Sequence, residues 1–306
     1  LKAVLTPSTS VAKVTLSPDG SVTVHSGTVE MGQGATEAMA RLVAHEMSVP
    51  RDQVHVVSGD TDSVPWDMGT VGSRSTYHMA RAIRAAVGDI RGQLVEMLRA
   101  MGGEHARDWD PFKVEGGVSS LLRRHFGSMG ASLVGVGSFT PDHKKPDSDG
   151  RSDHITEFWM CGGNGVDVAV DPLTGVLKIL RMVSVADVGR AVNPAAVHTQ
   201  LSGAAVMQAS MSVAESVRYD QRGQLVNPGL AFYRIFGFGD SPGEVRTDYV
   251  EYGEDDTPKG VGESGTLAVA PAIATAVHDA TGCWIRSLPI TPEKILRALE
   301  GDAGVC

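Results

Sequence analysis

The sequence predicts an α+β fold built as two related lobes, and three observations lead there. Val11-Ala12-Lys13-Val14-Thr15-Leu16 is rich in strand formers, Ser17-Pro18-Asp19-Gly20 is a strong turn, and Ser21-Val22-Thr23-Val24-His25-Ser26 returns with period-two alternation. The same hairpin grammar recurs at residues 166–170 and 176–180 around the turn Asp171-Pro172-Leu173-Thr174-Gly175. Each hairpin runs into a polar, glycine-bearing loop and then a helix. Between them, Pro141-Asp142-His143-Lys144-Lys145-Pro146 and the Asp/Ser/Gly run after it form a charged, breaker-rich linker. The expected division is a first lobe at 1–140, a linker at 141–153 and a second lobe at 154–306.

Taken in order, the first hairpin is followed by a helix from about Thr36 to Met47, whose Met39, Leu42, Val43 and Met47 repeat at helical spacing. Pro50 closes it. Val54 to Ser58 reads as a strand, Gly59 to Ser73 as a long loop, and Thr76 to Arg99 as a helix. Residues from about 102 to 151 give no clear pattern. In the second lobe, Asn193-Pro194 precedes a helix from about Ala195 to Ser216. Pro271 fits the first turn of a later helix that Gly282 ends, and Thr291-Pro292-Glu293 caps a last one to about Leu299.

Composition excludes some functions. With 306 residues, 42% apolar and 21% charged, the chain is long enough for a substantial core and ordinary for a globular protein. A net charge of -9 without a Lys/Arg cluster argues against nucleic acid. No apolar run approaches the roughly 18 residues a membrane span needs. Cys161, Cys283 and Cys306 are odd in number and far apart, which points to reduced thiols and a cytoplasmic setting rather than a disulfide framework. The start, Leu1-Lys2-Ala3-Val4, lacks an initiator Met and reads as part of a longer polypeptide or a subunit of one.

Chemistry concentrates in a few stretches. Lys259-Gly260-Val261-Gly262-Glu263-Ser264-Gly265-Thr266 holds one carboxylate between glycines, ahead of an apolar helical run. Glycine lets backbone turn sharply and approach a ligand closely, so Glu263 is either a helix-dipole partner or a general base aimed by main chain. Gly262-Glu263-Ser264-Gly265-Thr266 is not a nucleophile elbow, because the last position is Thr rather than Gly. Gly32-Gln33-Gly34 sits where a strand feeds a helix and is either a plain tight turn or a place where N–H groups meet an anion. Gly72-Ser73-Arg74-Ser75-Thr76 is an N-cap cluster or a phosphate contact. Gln200 and Gln208, eight apart, can share one helix face as surface amides or ligands. Trp66 and Met68 read as core rather than substrate contacts.

In this order, these segments resemble the molybdenum hydroxylase family, that of xanthine dehydrogenase and aldehyde oxidoreductase. Glu30-Met31-Gly32-Gln33-Gly34 is similar to its E-M-G-Q-G segment, Gly59-Asp60-Thr61-Asp62 to its G-D-T-D, and Gly72 to Thr76 to its G-S-R-S-T stretch. Asp187-Val188-Gly189-Arg190-Ala191-Val192-Asn193-Pro194 is similar to C-G-R-x-x-N-P, and Lys259 to Glu263 to K-G-V-G-E. The likeness covers about Ser8 to Leu299 and concerns the C-terminal molybdopterin-binding half of the large subunit. Two positions depart from it: Ala209 stands where a glycine is expected after Gln208, and Ser264-Gly265 where Pro-Gly or Pro-Pro is common.

The resemblance implies an oxidoreductase that hydroxylates an N-heterocycle or aldehyde with oxygen drawn from water, with Glu263 as the catalytic base. Cofactor contacts are expected at Gly32, Gln33, Gly34, Gly72, Ser73, Arg74, Ser75, Gln200, Gln208, Gly260 and Gly262. Molybdenum would be held by the dithiolene of molybdopterin, in the cytosine dinucleotide form of bacterial relatives, and by no side chain. Expected partners are the N-terminal half, an iron–sulfur subunit and an FAD subunit. A non-catalytic assembly subunit and a phosphate-binding module are the alternatives.

Overall fold

The computed structural model describes residues 1–4, 8–101, 110–113, 117–142, 144–253 and 256–301. Strands β1 (Lys2–Ala3), β2 (Ser10–Leu16) and β3 (Val22–Ser26) lead to helix α1 (Ala35–Met47). Strand β4 (Val54–Val57), the long helix α2 (Ser75–Ala100), α3 (Gly117–Phe126) and β5 (Leu133–Phe139) follow. Next come β6 (Trp159–Met160), β7 (Gly162–Val170), β8 (Leu177–Asp187) and α4 (Pro194–Val213). Strand β9 (Glu244–Val250), α5 (Val269–Thr281) and α6 (Pro292–Leu299) complete the order.

Two sheets carry the architecture, one ordered β4-β3-β2-β5 and one ordered β7-β8-β9. In each, an antiparallel hairpin is followed by a helix and then a strand parallel to the hairpin's second strand: β4 beside β3, and β9 beside β8. Alternation decides the faces. Ala12, Val14 and Leu16 of β2 and Val22 and Val24 of β3 are buried; α1, with Met39, Leu42, Val43 and Met47 in the same core, packs on β3 and β4, and α2 packs on β2. A separate core under the second sheet gathers Ile179, Met182, Ala205, Val269, Ile273 and Ile295.

The illegible stretch contains two elements, α3 and β5; its residues 102–109, 114–116 and 143 lie outside the described set. Strand β5 escapes sequence reading because Gly135 and Gly137 are poor strand formers. Their absent side chains are the reason it works: a Cβ at Gly135 would stand 2.1 Å from the Ala86 carbonyl oxygen, and one at Gly137 2.2 Å from the Ala86 nitrogen. Helix α2 therefore lies almost directly on the β5 backbone, through Ala82 and Ala86. Helix α2 begins one residue before the expected start, and α4 ends at Val213 rather than Ser216.

Strand β1 crosses the expected lobe boundary. It pairs with β6, after the linker, in the register Lys2 to Met160. Val4 packs there with Tyr77, Phe158 and Met160, and its N–H donates to Thr156 Oγ1 at 2.9 Å. Trp66 and Met68, expected in the core, are 68% and 49% exposed. Cys161 and Cys283 are free and half-buried, while Cys306 lies outside the described residues. No helix among the described residues is long and apolar enough to cross a membrane.

Candidate active site

Four segments converge on one cleft. They are the start of α1 (Gln33 to Met39), the start of α2 (Thr70 to Thr76), the β8–α4 connection (Val188 to Gln200) and the turn Lys259 to Gly262. Three helix N-termini thus open onto it, where main-chain N–H groups lack partners inside the helix; at α1 the Glu30 carboxylate accepts that of Thr36. At α4 the local cause is plain: Pro194 takes the first position, where no N–H is needed, and Asn193 Oδ1 accepts from the Ala196 N–H at 3.4 Å. Arg190 and Lys259 add positive charge. Asp187 Oδ2 takes the Lys259 ammonium at 2.5 Å, and Asp256 takes Arg190 at 3.0 Å, so both cations are held in place.

The glutamate turn is locked onto the start of α2. Any Cβ at Gly260 would sit 1.6 Å from the Ser73 carbonyl oxygen, so only glycine lets the two loops meet. Ser73 itself has φ 60, in the left-handed region a non-glycine residue seldom adopts. That conformation turns its hydroxyl toward Glu263. Ser73 Oγ accepts from the Glu263 backbone N–H at 3.0 Å and donates to Glu263 Oε2 at 2.8 Å, while Lys2 Nζ donates to the same oxygen. Glu263 is 43% exposed at its side chain and is not itself among the residues that line the cleft; it follows Gly262, which is, and its carboxylate bonds to Ser73 on the α2 wall.

Of the residues singled out from sequence, Gln33, Gly34, Ser73, Ser75, Gln200, Gly260 and Gly262 line the cleft together. Gly32 and Gly72 do not line it; they supply the positive φ values (97° and 59°) of the turns beside it. The Gln33 amide is engaged within its own loop, donating to the Val29 carbonyl and accepting from the Met31 N–H.

Two of the expected residues lie apart from the cleft. Arg74 is fully buried, and its guanidinium goes to Asp67 Oδ1 at 2.7 Å, the Gly69 carbonyl and Ser10 Oγ. It ties the Asp67–Ser73 loop to β2 instead of facing a phosphate. Gln208 shares a helix face with Gln200 but lies roughly 12 Å further along α4, which carries it out of the cleft.

Glu30 was missed. Its carboxylate accepts the N–H groups of Gly32 at 2.8 Å, Gly34 at 2.9 Å and Thr36 at 3.0 Å, so the anion for the G-Q-G turn comes from the chain itself. Partial burial opposes ionisation, but the N–H groups of Thr36, Gly34 and Gly32 outweigh it and hold the Glu30 carboxyl below its usual value. The available signal was the spacing of Glu30 to Thr36, an acid just ahead of a helix start.

The fold is mixed α and β, and its cleft lies where three helix starts meet. The molybdopterin cofactor-binding domain profile matches residues 2–242, ending before the Glu263 turn. Over 300 residues the chain is 34% identical to a probable hypoxanthine oxidase of Escherichia coli, covering 94% of this chain and 30% of that protein. Over 304 residues it is 29% identical to the nicotine 6-hydroxylase large subunit of Paenarthrobacter nicotinovorans, covering 95% of this chain and 37% of that one. Among solved structures, aldehyde oxidoreductase from Desulfovibrio desulfuricans superposes with a TM-score of 0.79 at 27% identity, over 97% of this chain and 31% of that one. The chain belongs to the molybdopterin cofactor-binding domain family of the molybdenum hydroxylases, and it spans about a third of the length of these relatives.

Proposed function

We propose that this chain is the part of a molybdenum hydroxylase large subunit that binds molybdopterin and supplies Glu263 as the base, in an enzyme that hydroxylates an N-heterocycle or an aldehyde with oxygen from water. The observation that carries this reading is the seat of Glu263: a carboxylate fixed by Ser73, itself a lining residue of a cleft into which three helix starts open. The lining fits the cofactor. Gln200, Ser75, Arg190 and the helix-start N–H groups of α2 and α4 suit phosphate and the polar edge of a pterin. On this reading the pterin, and no side chain, would hold the molybdenum.

When bound, the cofactor would supply Lewis acidity and accept two electrons. Glu263 takes up the proton released as oxygen is delivered to the substrate carbon, at Oε1, the oxygen without a hydrogen bond among the described residues. Lys259 and Asp187 hold the turn by a charged bond at its other end. The cytosine dinucleotide form, a cytoplasmic setting, and iron–sulfur and FAD partner subunits belong to this proposal, as do two lobes of common plan at 1–140 and 154–306. The aldehyde and N-heterocycle substrates are drawn from the named relatives.

The test is Glu263→Gln in the assembled enzyme. Turnover should fall by about a thousandfold, while molybdenum content stays at the wild-type level. Turnover that survives the substitution removes Glu263 as the base, and loss of molybdenum makes it a cofactor anchor.

A further inference from the structure

A glutamate has three rotatable side-chain bonds, so a base of this type has to be held if its proton-accepting oxygen is to stay aimed. Both side-chain hydrogen bonds to Glu263 fall on Oε2, one from Ser73 Oγ at 2.8 Å and one from Lys2 Nζ. Ser73 also accepts the Glu263 N–H, so one hydroxyl grips this residue at main chain and side chain together. A serine hydroxyl has a single proton, and here it is committed to Glu263.

Both donors are themselves fixed by distant parts of the fold. Ser73 is held in its left-handed conformation with Gly260 seated on its carbonyl. Lys2 is delivered by β1, whose place is set by pairing with β6 and by the two hydrogen bonds between Val4 and Thr156.

We infer, on the reading of Glu263 as the base, that Ser73 and Lys2 are positioning residues for the reaction: together they clamp Oε2 and leave Oε1 to receive the proton. Ser73 thereby acts on the base, rather than as the cofactor ligand its place in the sequence first indicated.

The experiment uses the assembled holoenzyme with Ser73→Ala, Ser73→Gly, Lys2→Met and Lys2→Arg. Ser73→Ala, Ser73→Gly and Lys2→Met should each lower kcat about tenfold to a hundredfold with little change in KM, and Lys2→Arg should recover most of the loss. Glycine accepts the positive φ without strain, so an equal loss in the Ala and Gly variants assigns the effect to the hydroxyl. Full kcat in Ser73→Gly would assign it to loop conformation and overturn the role of Ser73.

A second readout needs no turnover. In infrared spectra edited with carbon-13 glutamate, Glu263→Gln identifies the Glu263 carboxylate band. That band should move in Ser73→Ala and Lys2→Met and stay in place in Lys2→Arg. An unmoved band with full kcat in the Ala and Met variants overturns the clamp. Loss of molybdenum in the Ser73 variants would return Ser73 to the cofactor and also overturn it. Turnover that persists in Glu263→Gln strikes at the base itself, so the two failures are distinguishable.

Discussion

Glu30 and Glu263 both stand among glycines on the approach to a helix, yet their carboxylates are used in opposite ways. Glu30 spends both oxygens on N–H groups two to six residues away, and so knots its own loop. Among the described residues Glu263 receives no backbone donor on its carboxylate; its partners there, Ser73 and Lys2, are 190 and 261 residues distant, and one oxygen is left over. A carboxylate satisfied by its own loop is a structural anion. One held by remote side chains has its chemistry decided by how the halves of the chain come together.

The sharpest way to break this contrast is at Gly260. Gly260→Ala should destabilise the fold by about 3 kcal/mol, because its Cβ would fall 1.6 Å from the Ser73 carbonyl and the seat of Glu263 must part. Denaturant unfolding measures it, and an unchanged midpoint would mean that the two loops are not packed as described.

Acid should act on the start of α2 as well as on the Glu30 loop. His78 lies one turn into α2, buried to 1% exposure, with Nδ1 on the Arg74 carbonyl. Burial, and next the nearby Arg74 charge, push its pKa down from 6.5 to about 4. A histidine lowered in the folded state resists a proton that the unfolded chain accepts, so stability is full above pH 6.5 and declines as pH falls toward 4. The decline is on the order of 3 kcal/mol, and His78→Phe should flatten it. Unfolding curves between pH 7 and 4 that slope equally in both proteins would refute this.

The smallest effect is expected at Glu30. Glu30→Gln should cost about 1 kcal/mol, since solvent screens this exposed anion. Its carboxyl is lowered, so its contribution is complete above the ordinary value of 4.5 and is lost only as pH falls through the lower folded value. Hydrogen exchange at Gly32, Gly34 and Thr36 should therefore quicken in Glu30→Gln at neutral pH, and in the parent only at lower pH than the loss at α2. The reverse order would undo the comparison.

Much of the fold was legible because its signals are local. The hairpin alternation, the Met39 to Met47 stripe of α1, the αL Gly282 after α5 and the Thr291 cap of α6 each depend on neighbours a few residues apart. What was misread depends on distance. Gly135 and Gly137 look like loop until α2 is laid on them, and Arg74 looks like a phosphate ligand until Asp67 and Ser10 are brought beneath it.

The sequence by itself determined where the strands, helix starts and glycine-flanked acids lie, since propensity, alternation and capping act within a turn or two of chain. It also marked several of the segments that come together at the cleft. Only the tertiary structure decided which acid keeps a carboxylate oxygen unbonded among the described residues. That choice rests on contacts between Lys2, Ser73, Gly260 and Glu263, and their meeting is set by the packing of whole elements that no local pattern encodes.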